Sequence, residues 1–262
     1  MSFLHTIILG LVEGLTEFLP ISSTAHMDIV RTFLSIPTGD FMKSFEIIIQ
    51  LGAILAVVVL YAKKVFSSWK YIQNLIIAFI PTGIIGFILY KLIKSYLLGN
   101  IWVEAIALLL GGVIIILFEN YQIKKTEVKE EQKVEDLSFK QLITLGVAQA
   151  LAVIPGVSRS GAVIISGRAL GLNRVLITEF SFLLAVPTML MASLYDIYKS
   201  GFSFSSSEWG TILLGFVVSF IIAFIVIRWF LSYIRKHTFK IFGWYRIILG
   251  AFLILALFFN IL

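Results

Sequence analysis

Six stretches of the chain carry no charged residue: Ile47 to Ala62, Tyr71 to Tyr90, Ala105 to Phe118, Phe180 to Tyr195, Trp209 to Ile227 and Ile247 to Leu262. They are apolar on every side of a helix, which predicts helices surrounded by apolar material rather than amphipathic surface helices. A bilayer core takes about 20 mostly apolar helical residues, and the shorter runs reach that length with flanking polar residues that snorkel to the interface. Porin-type strands would alternate apolar and polar positions over about ten residues, and these runs do not.

Two further apolar segments are interrupted by a proline and a polar cluster. The first is GLVEGLTEFLPISSTAH, Gly10 to His26, and the second is GVAQALAVIPGVSRSG, Gly146 to Gly161. Pro20 and Pro155 are 135 positions apart, as are Ser23 and Ser158, and a glutamate opening an apolar run follows each motif, Glu46 and Glu179. This spacing reads as an internal duplication, with halves at about 1–118 and 139–262 joined by a polar loop at 119–138 in one integral membrane domain. Neither interrupted segment reads as a simple span. Each is expected to be a re-entrant helix-loop-helix hairpin lining a protein-enclosed cavity. The fold class expected is therefore an all-α integral membrane protein with six transmembrane helices and two re-entrant hairpins in an inverted repeat.

Loop charges orient this topology. One side carries Lys63, Lys64, Lys70, the five lysines between Lys124 and Lys140, Arg228, Arg235, Lys236 and Lys240; the other carries mainly Lys43, Lys91, Lys94 and Lys199. The first side is then cytoplasmic and both termini lie outside. Trp69, Trp102, Trp209 and Trp244 fit interfacial belts. The N-terminus lacks a basic region and a small-residue cleavage site, so no signal peptide is expected.

Composition sharpens this picture. The 262 residues are 59% hydrophobic and 14% charged, against about 25% charged in an average soluble domain. The net charge of +6 does not point to nucleic acid, because the basic residues fall in loops and those of the central loop are interleaved with Glu127, Glu130, Glu131, Glu135 and Asp136. There is no cysteine, and the histidines at 5, 26 and 237 are too dispersed for a histidine-rich metal cluster.

The chemistry concentrates in the two broken segments, since an ionisable residue at bilayer depth costs a few kcal/mol and needs a partner or a role. Glu13 and Glu17 share one helical face, an unfavourable pair unless a cation, an arginine or a shared proton intervenes. Hard carboxylate oxygens suit Mg²⁺ or Ca²⁺, which makes Glu13 and Glu17 candidate metal ligands. Ser22, Ser23, Thr24 and His26 after Pro20, and Ser158, Arg159, Ser160 and Gly161 after Pro155, would open short helices whose N-termini form an anion site. Arg159 supplies a planar cationic fork suited to phosphate oxygens, or alternatively neutralises Glu13 or Glu17. Ser23 is the candidate nucleophile with His26 or Glu17 as base, and direct activation of water by a carboxylate is the rival route.

EGLTEFLPISSTAH at Glu13 to His26, with PGVSRSGAVI at Pro155 to Ile164, resembles the undecaprenyl-diphosphate phosphatase family of the bacitracin-resistance type, and FEIIIQLGAILAVV follows the first motif as in that family. The resemblance covers essentially the whole chain. It implies a bacterial plasma-membrane hydrolase that recycles the lipid carrier of peptidoglycan synthesis, depends on a divalent metal and has a site opening outward. It places the glutamate motif on Glu13 and Glu17, the serine and histidine on Ser23 and His26, and the arginine motif on Ser158, Arg159 and Ser160. Ala25 and Val163 depart from residues found in some members, and no role is assigned to Val163. The alternative class is a polyprenyl-phosphate transporter or flippase, because inverted repeats with broken helices also build transporters. Association into a homodimer is left open.

Overall fold

The computed structural model describes residues 1–92, 96–97, 99–122, 132–200 and 204–259. The described residues form ten α-helices and a short 3₁₀ turn, with no strand. Six of the helices are long and apolar enough to cross a membrane. These are α3 (Asp40–Phe66), α4 (Trp69–Leu92), α5 (Ile101–Gln122), α8 (Arg174–Ser200), α9 (Ser206–Ile234) and α10 (Lys240–Phe258). Five of them each contain one whole uncharged run, and α10 holds the last run as far as Phe258; Phe259 is a turn residue, and residues 260–262 lie outside the described residues. Trp69, Trp102, Trp209 and Trp244 all sit within the first five residues of a long helix and are exposed, as interfacial anchors require.

The other four helices are short: α1 (Phe3–Thr16), α2 (Ser23–Phe33), α6 (Phe139–Leu151) and α7 (Arg159–Ala169). At 14, 11, 13 and 11 residues they are about 16 to 21 Å long, less than the roughly 30 Å of a bilayer core. Proline ends each first helix's run because it has no N–H for a further turn. The chain then turns through Ser22 (φ 71°, ψ 101°) or Ser158 (φ 66°, ψ 111°), the residues immediately before α2 and α7. The same match recurs where those helices end: Ser35 (φ 52°) and Gly171 (φ 79°) occupy left-handed positions, and Ile36 N–H and Leu172 N–H reach back to the Arg31 and Gly167 carbonyls at 3.0 Å. These backbone matches are 136 residues apart, one more than the proline spacing, so Ser22 corresponds to Ser158 and Ser23 to Arg159.

Packing crosses between the halves of the chain: α1 lies along α9, and α6 along α4, with α5 against α10 and α3 against α8 at the centre. Lipid tails are as apolar as leucine, so such helices associate through close backbone approach at small residues. A Cβ on Gly14 of α1 would lie 2.7 Å from the Ser219 carbonyl of α9, and one on Gly146 of α6 would lie 2.1 Å from the Ala78 carbonyl of α4. The outer surface is apolar, with Phe66, Phe87, Ile88 and Leu213 exposed, whereas Glu13, Glu17, Glu104, Glu119 and Arg246 are buried.

The polar loop expected at 119–138 is shorter than its composition implies. Residues 119–122 belong to α5, and buried Glu119 receives Arg174 at 3.3 Å and the Phe239 N–H at 3.3 Å. At the other end the Val134 carbonyl accepts a hydrogen bond from Asn74 at 2.7 Å. Burial of both ends against neighbouring helices is a tertiary effect that charge counting does not reveal. Lys124, Lys125, Glu127, Lys129, Glu130 and Glu131 lie outside the described residues.

Candidate active site

The turn after α1 and the turn after α6 meet inside the helix bundle. Ser160 Oγ donates to the Leu19 carbonyl at 2.9 Å, and the Gly156 N–H points to Thr24 Oγ1 at 3.4 Å, so each turn holds the other. Within them, Ser158 Oγ accepts the Gly161 N–H at 3.2 Å and caps α7. Ser22 Oγ pairs with Thr24 Oγ1 at 3.0 Å.

Across this junction Arg159 Nη2 donates to Glu17 Oε1 at 2.8 Å, and the other carboxylate oxygen, Oε2, accepts a short hydrogen bond from Ser23 Oγ. Glu17 is thus shared between the candidate nucleophile and the candidate cation. The Arg159 side chain is only 10% exposed, and its Nε and Nη1 atoms are buried with no partner. Two unfilled donors on a buried guanidinium are costly unless an acceptor arrives. Glu13 lies one turn back on α1, 1% exposed, its Oε1 buried without a partner.

A cavity of about 210 Å³ opens at this point, lined by Glu17, Ser22, Ser23, Thr24, Ser158 and Arg159 from the two turns. Because Ser22 and Ser158 precede α2 and α7, both helix N-termini face it, and backbone N–H groups join the guanidinium as donors. An adjoining cavity of about 600 Å³ shares Thr82, Val153, Thr188 and Ala192 with the first, and is lined also by apolar Met42, Phe79, Phe87 and Met191 and by charged Asp28, Arg31, Lys43 and Glu46.

Several residues singled out from the sequence lie elsewhere. Glu13, Ser160 and Gly161 do not line the cavity; Ser160 ties the two turns together through the Leu19 carbonyl, and the Gly161 N–H bonds to Ser158 within its own turn. His26 is not beside Ser23: its Nδ1 contacts the Ser22 carbonyl and its Nε2 the Tyr245 hydroxyl, each at 2.6 Å. Three residues apart on α2, the two side chains lie on neighbouring faces, and it is the bonds to the Ser22 carbonyl and the Tyr245 hydroxyl that engage both ring nitrogens of His26. The geometry therefore gives Ser23 a carboxylate partner rather than an imidazole. Val163 is fully buried in the apolar core and does not line the cavity.

Other cavity residues were not singled out by the sequence reading. Gln149 on α6 donates its amide to Thr82 at 3.1 Å and Thr188 at 2.8 Å, while its Oε1 has no partner. Gln50 completes the polar wall. The available signal was polar residues inside uncharged runs: Gln50 in FEIIIQLGAI, and Thr82 and Thr188, each directly after a proline in a long helix. Arg246, 1% exposed on α10, carried only the weak signal of a lone arginine at the edge of the last run.

Among the described residues no group of three or more His, Cys, Asp or Glu side chains is arranged to hold a metal ion. A two-carboxylate set remains. Glu13 offers an unpartnered oxygen beside Glu17, and Mg²⁺ is commonly held by one or two carboxylates with substrate phosphates and water completing the shell. The donor chemistry fits a divalent ion that arrives with a phosphorylated ligand.

Known proteins resemble this chain along its whole length. It is 51% identical over 255 residues to the undecaprenyl-diphosphatase of Aquifex aeolicus, covering 97% of this chain and 98% of that one. It is 49% identical to that of a Sulfurihydrogenibium species, covering 95% and 97%, and 45% identical to that of Bdellovibrio bacteriovorus, covering 98% and 97%. The family described as bacitracin resistance protein BacA matches residues 6–252, a span that takes in both turns and every cavity-lining residue named above. With the two motifs, the helices that carry them and the sequence match in agreement, the chain belongs to the bacitracin resistance protein BacA family.

Proposed function

We propose that this protein is an undecaprenyl-diphosphate phosphatase: it hydrolyses the lipid diphosphate to undecaprenyl phosphate and inorganic phosphate, returning the carrier to peptidoglycan synthesis and thereby countering bacitracin. The observation that carries the reading is Glu17 held between Ser23 and Arg159, from opposite turns, at a buried cavity. The relatives named undecaprenyl-diphosphatase, about half identical over almost the whole chain, support the substrate.

A C55 tail resists leaving the bilayer, at about 0.8 kcal/mol per buried methylene, so the diphosphate must be brought to a polar pocket inside the membrane. The larger cavity offers Met42, Phe79, Phe87 and Met191 to the first isoprene units, although Asp28, Arg31, Lys43 and Glu46 also line it, and the smaller one takes the diphosphate. Arg159 Nε and Nη1 and the N-termini of α2 and α7 bind the phosphate oxygens, with Ser22, Thr24 and Ser158 orienting them. Phosphoryl transfer rewards such positioning and charge stabilisation.

Glu17 takes the Ser23 hydroxyl proton as Oγ attacks the terminal phosphorus; the bridging P–O bond breaks, and undecaprenyl phosphate leaves with that proton, which restores the Glu17 carboxylate. Water, deprotonated by the restored Glu17 carboxylate, then attacks the phosphoserine phosphorus; the P–Oγ bond breaks, inorganic phosphate is released, and Glu17 returns the proton to Ser23 Oγ. A divalent ion held by Glu13 and Glu17 would screen the charge of the diphosphate. Direct attack by a Glu17-activated water is the competing route. Acid quench during turnover of ³²P-labelled substrate separates them: label on Ser23 supports the serine route, and full turnover by Ser23→Ala removes it.

The architecture proposed is an inverted repeat in which α1–α2 and α6–α7 are re-entrant hairpins from opposite faces. Their lengths support it, as does the intervening odd number of long helices, α3, α4 and α5, which reverses the second half relative to the first. The cross-half pairs Gly14 with Ser219 and Gly146 with Ala78 fit interlocked halves. The lysine-rich side is cytoplasmic and both termini lie outside in this arrangement. Phosphate release by purified protein in detergent, where no compartments exist, tests the activity against lipid transport without hydrolysis.

A further inference from the structure

Arg246 is the bulkiest of the fully buried side chains among the described residues, at 1% exposure, and has no carboxylate partner among the described salt bridges. Its five N–H donors are all spent on backbone carbonyls. Nε donates to Leu108 at 3.3 Å, Nη1 to Pro20 at 3.1 Å and Val157 at 3.3 Å, and Nη2 to Ala107 at 2.9 Å and Gly156 at 2.9 Å. Three of these carbonyls belong to the two turns that carry the site: Pro20 lies two residues before Ser22, and Gly156 and Val157 directly precede Ser158. The other two are on α5, which packs along the helix that bears Arg246.

One guanidinium therefore joins both turns to the same pair of long helices. Ser22 and Ser158 have positive φ, which non-glycine residues adopt only when the surrounding structure imposes it. The carbonyls just upstream of them are the groups Arg246 fixes. An uncompensated buried charge is a poor device for stability alone, because well-packed apolar residues of similar volume commonly do as well or better. The seat is also specific: a Cβ on Gly111 of α5 would lie 2.1 Å from Arg246 Nη2 and 2.7 Å from Cζ, so only glycine there leaves room for the planar fork.

We propose that Arg246 is a positioning residue for hydrolysis. From behind the cavity, it sets the distance between the Glu17–Ser23 turn and the Ser158–Arg159 turn, and its charge adds to the positive potential under the diphosphate. The inference rests on the phosphatase reading. It goes beyond that reading by placing the alignment of the two turns on one residue that does not line the cavity.

The experiment is steady-state phosphate release by purified protein in detergent from a polyprenyl diphosphate, with kcat and KM resolved and normalised to monodisperse, helical protein. No release by the parent protein would overturn the phosphatase reading itself. With the parent active, Arg246→Lys keeps the charge but cannot span five carbonyls, and kcat is expected to fall about a hundredfold with little change in KM, as displacement by about 1 Å does. Gly111→Ala retains the arginine but displaces it, and kcat is expected to fall in the same sense, with the double variant no worse than Arg246→Lys because both act through one element. A near-parental kcat in folded Arg246→Lys overturns the proposal, as does a loss that only tracks the amount of folded protein. Should the lysine variant fail to accumulate, Gly111→Ala decides alone: a selective loss of kcat supports the role, and parental kinetics refute it.

Discussion

The Arg159 fork offers the sharpest test of how the cavity binds its substrate. Arg159→Lys preserves the positive charge beside Glu17 but removes the planar arrangement in which one Nη2 bond at 2.8 Å holds Glu17 while Nε and Nη1 stay free. Those two donors are each worth about 1.5 to 3 kcal/mol when they meet a charged oxygen. A lysine ammonium that keeps the Glu17 contact reaches one phosphate oxygen and leaves the second bond unmade. The expected loss is therefore about 1.5 to 3 kcal/mol in transition-state binding, or about 10- to 150-fold in kcat/KM. Arg159→Gln should fall further, since it also leaves Glu17 as a buried carboxylate without a cation. The assay is colorimetric phosphate release from a polyprenyl diphosphate in detergent. Lysine at parental kcat/KM would refute the assignment of Nε and Nη1 as phosphate ligands.

Other consequences are equally direct. His26→Gln should cost less than about tenfold in kcat, against about a hundredfold or more for Glu17→Gln, because His26 bonds to Ser22 and Tyr245 rather than to Ser23; equal losses in a kinetic comparison would restore His26 as the base. Glu13→Gln should raise the Mg²⁺ concentration needed for half-maximal rate by about tenfold while much of the rate returns at saturation, given the role proposed for its free oxygen; an unchanged Mg²⁺ titration would remove Glu13 from the metal set. Gly146→Val should lower thermal stability in detergent by about 1 to 3 kcal/mol or prevent accumulation, because its Cβ meets the Ala78 carbonyl at 2.1 Å. A parental melting curve would contradict that packing.

The spanning helices were legible because nothing but length and apolarity decides them: five uncharged runs each lie whole in one long helix, and α10 holds the sixth as far as Phe258. The two serine-rich turns were legible for a related reason: charged and hydroxyl residues clustered at membrane depth have few structural explanations. Phase within those turns was harder. Proline marks where a helix stops, but the residue that adopts positive φ is set by how the two turns lock together. A spacing of 135 between prolines therefore coexists with 136 between Ser22 and Ser158. His26 illustrates the same limit, since its place three residues after Ser23 gives no sign of its bond to Tyr245, 219 positions away. Arg246 was hidden for another reason. Its partners are carbonyls of residues 89 to 226 positions away, and backbone acceptors leave no trace in side-chain identity. The burial of Glu119 against Arg174 is likewise a long-range pairing that local polarity disguises as a loop.

The central claim is that Glu17 from one turn and Arg159 from the other act as a single unit. A double-mutant cycle on kcat/KM for phosphate release, comparing the parent with Glu17→Gln, Arg159→Gln and the pair, measures it directly. The account predicts that the double variant is about as slow as the slower single variant, because removing either partner already disables the pair. Losses that multiply in the double variant would show that the two residues work independently, and would contradict the shared site.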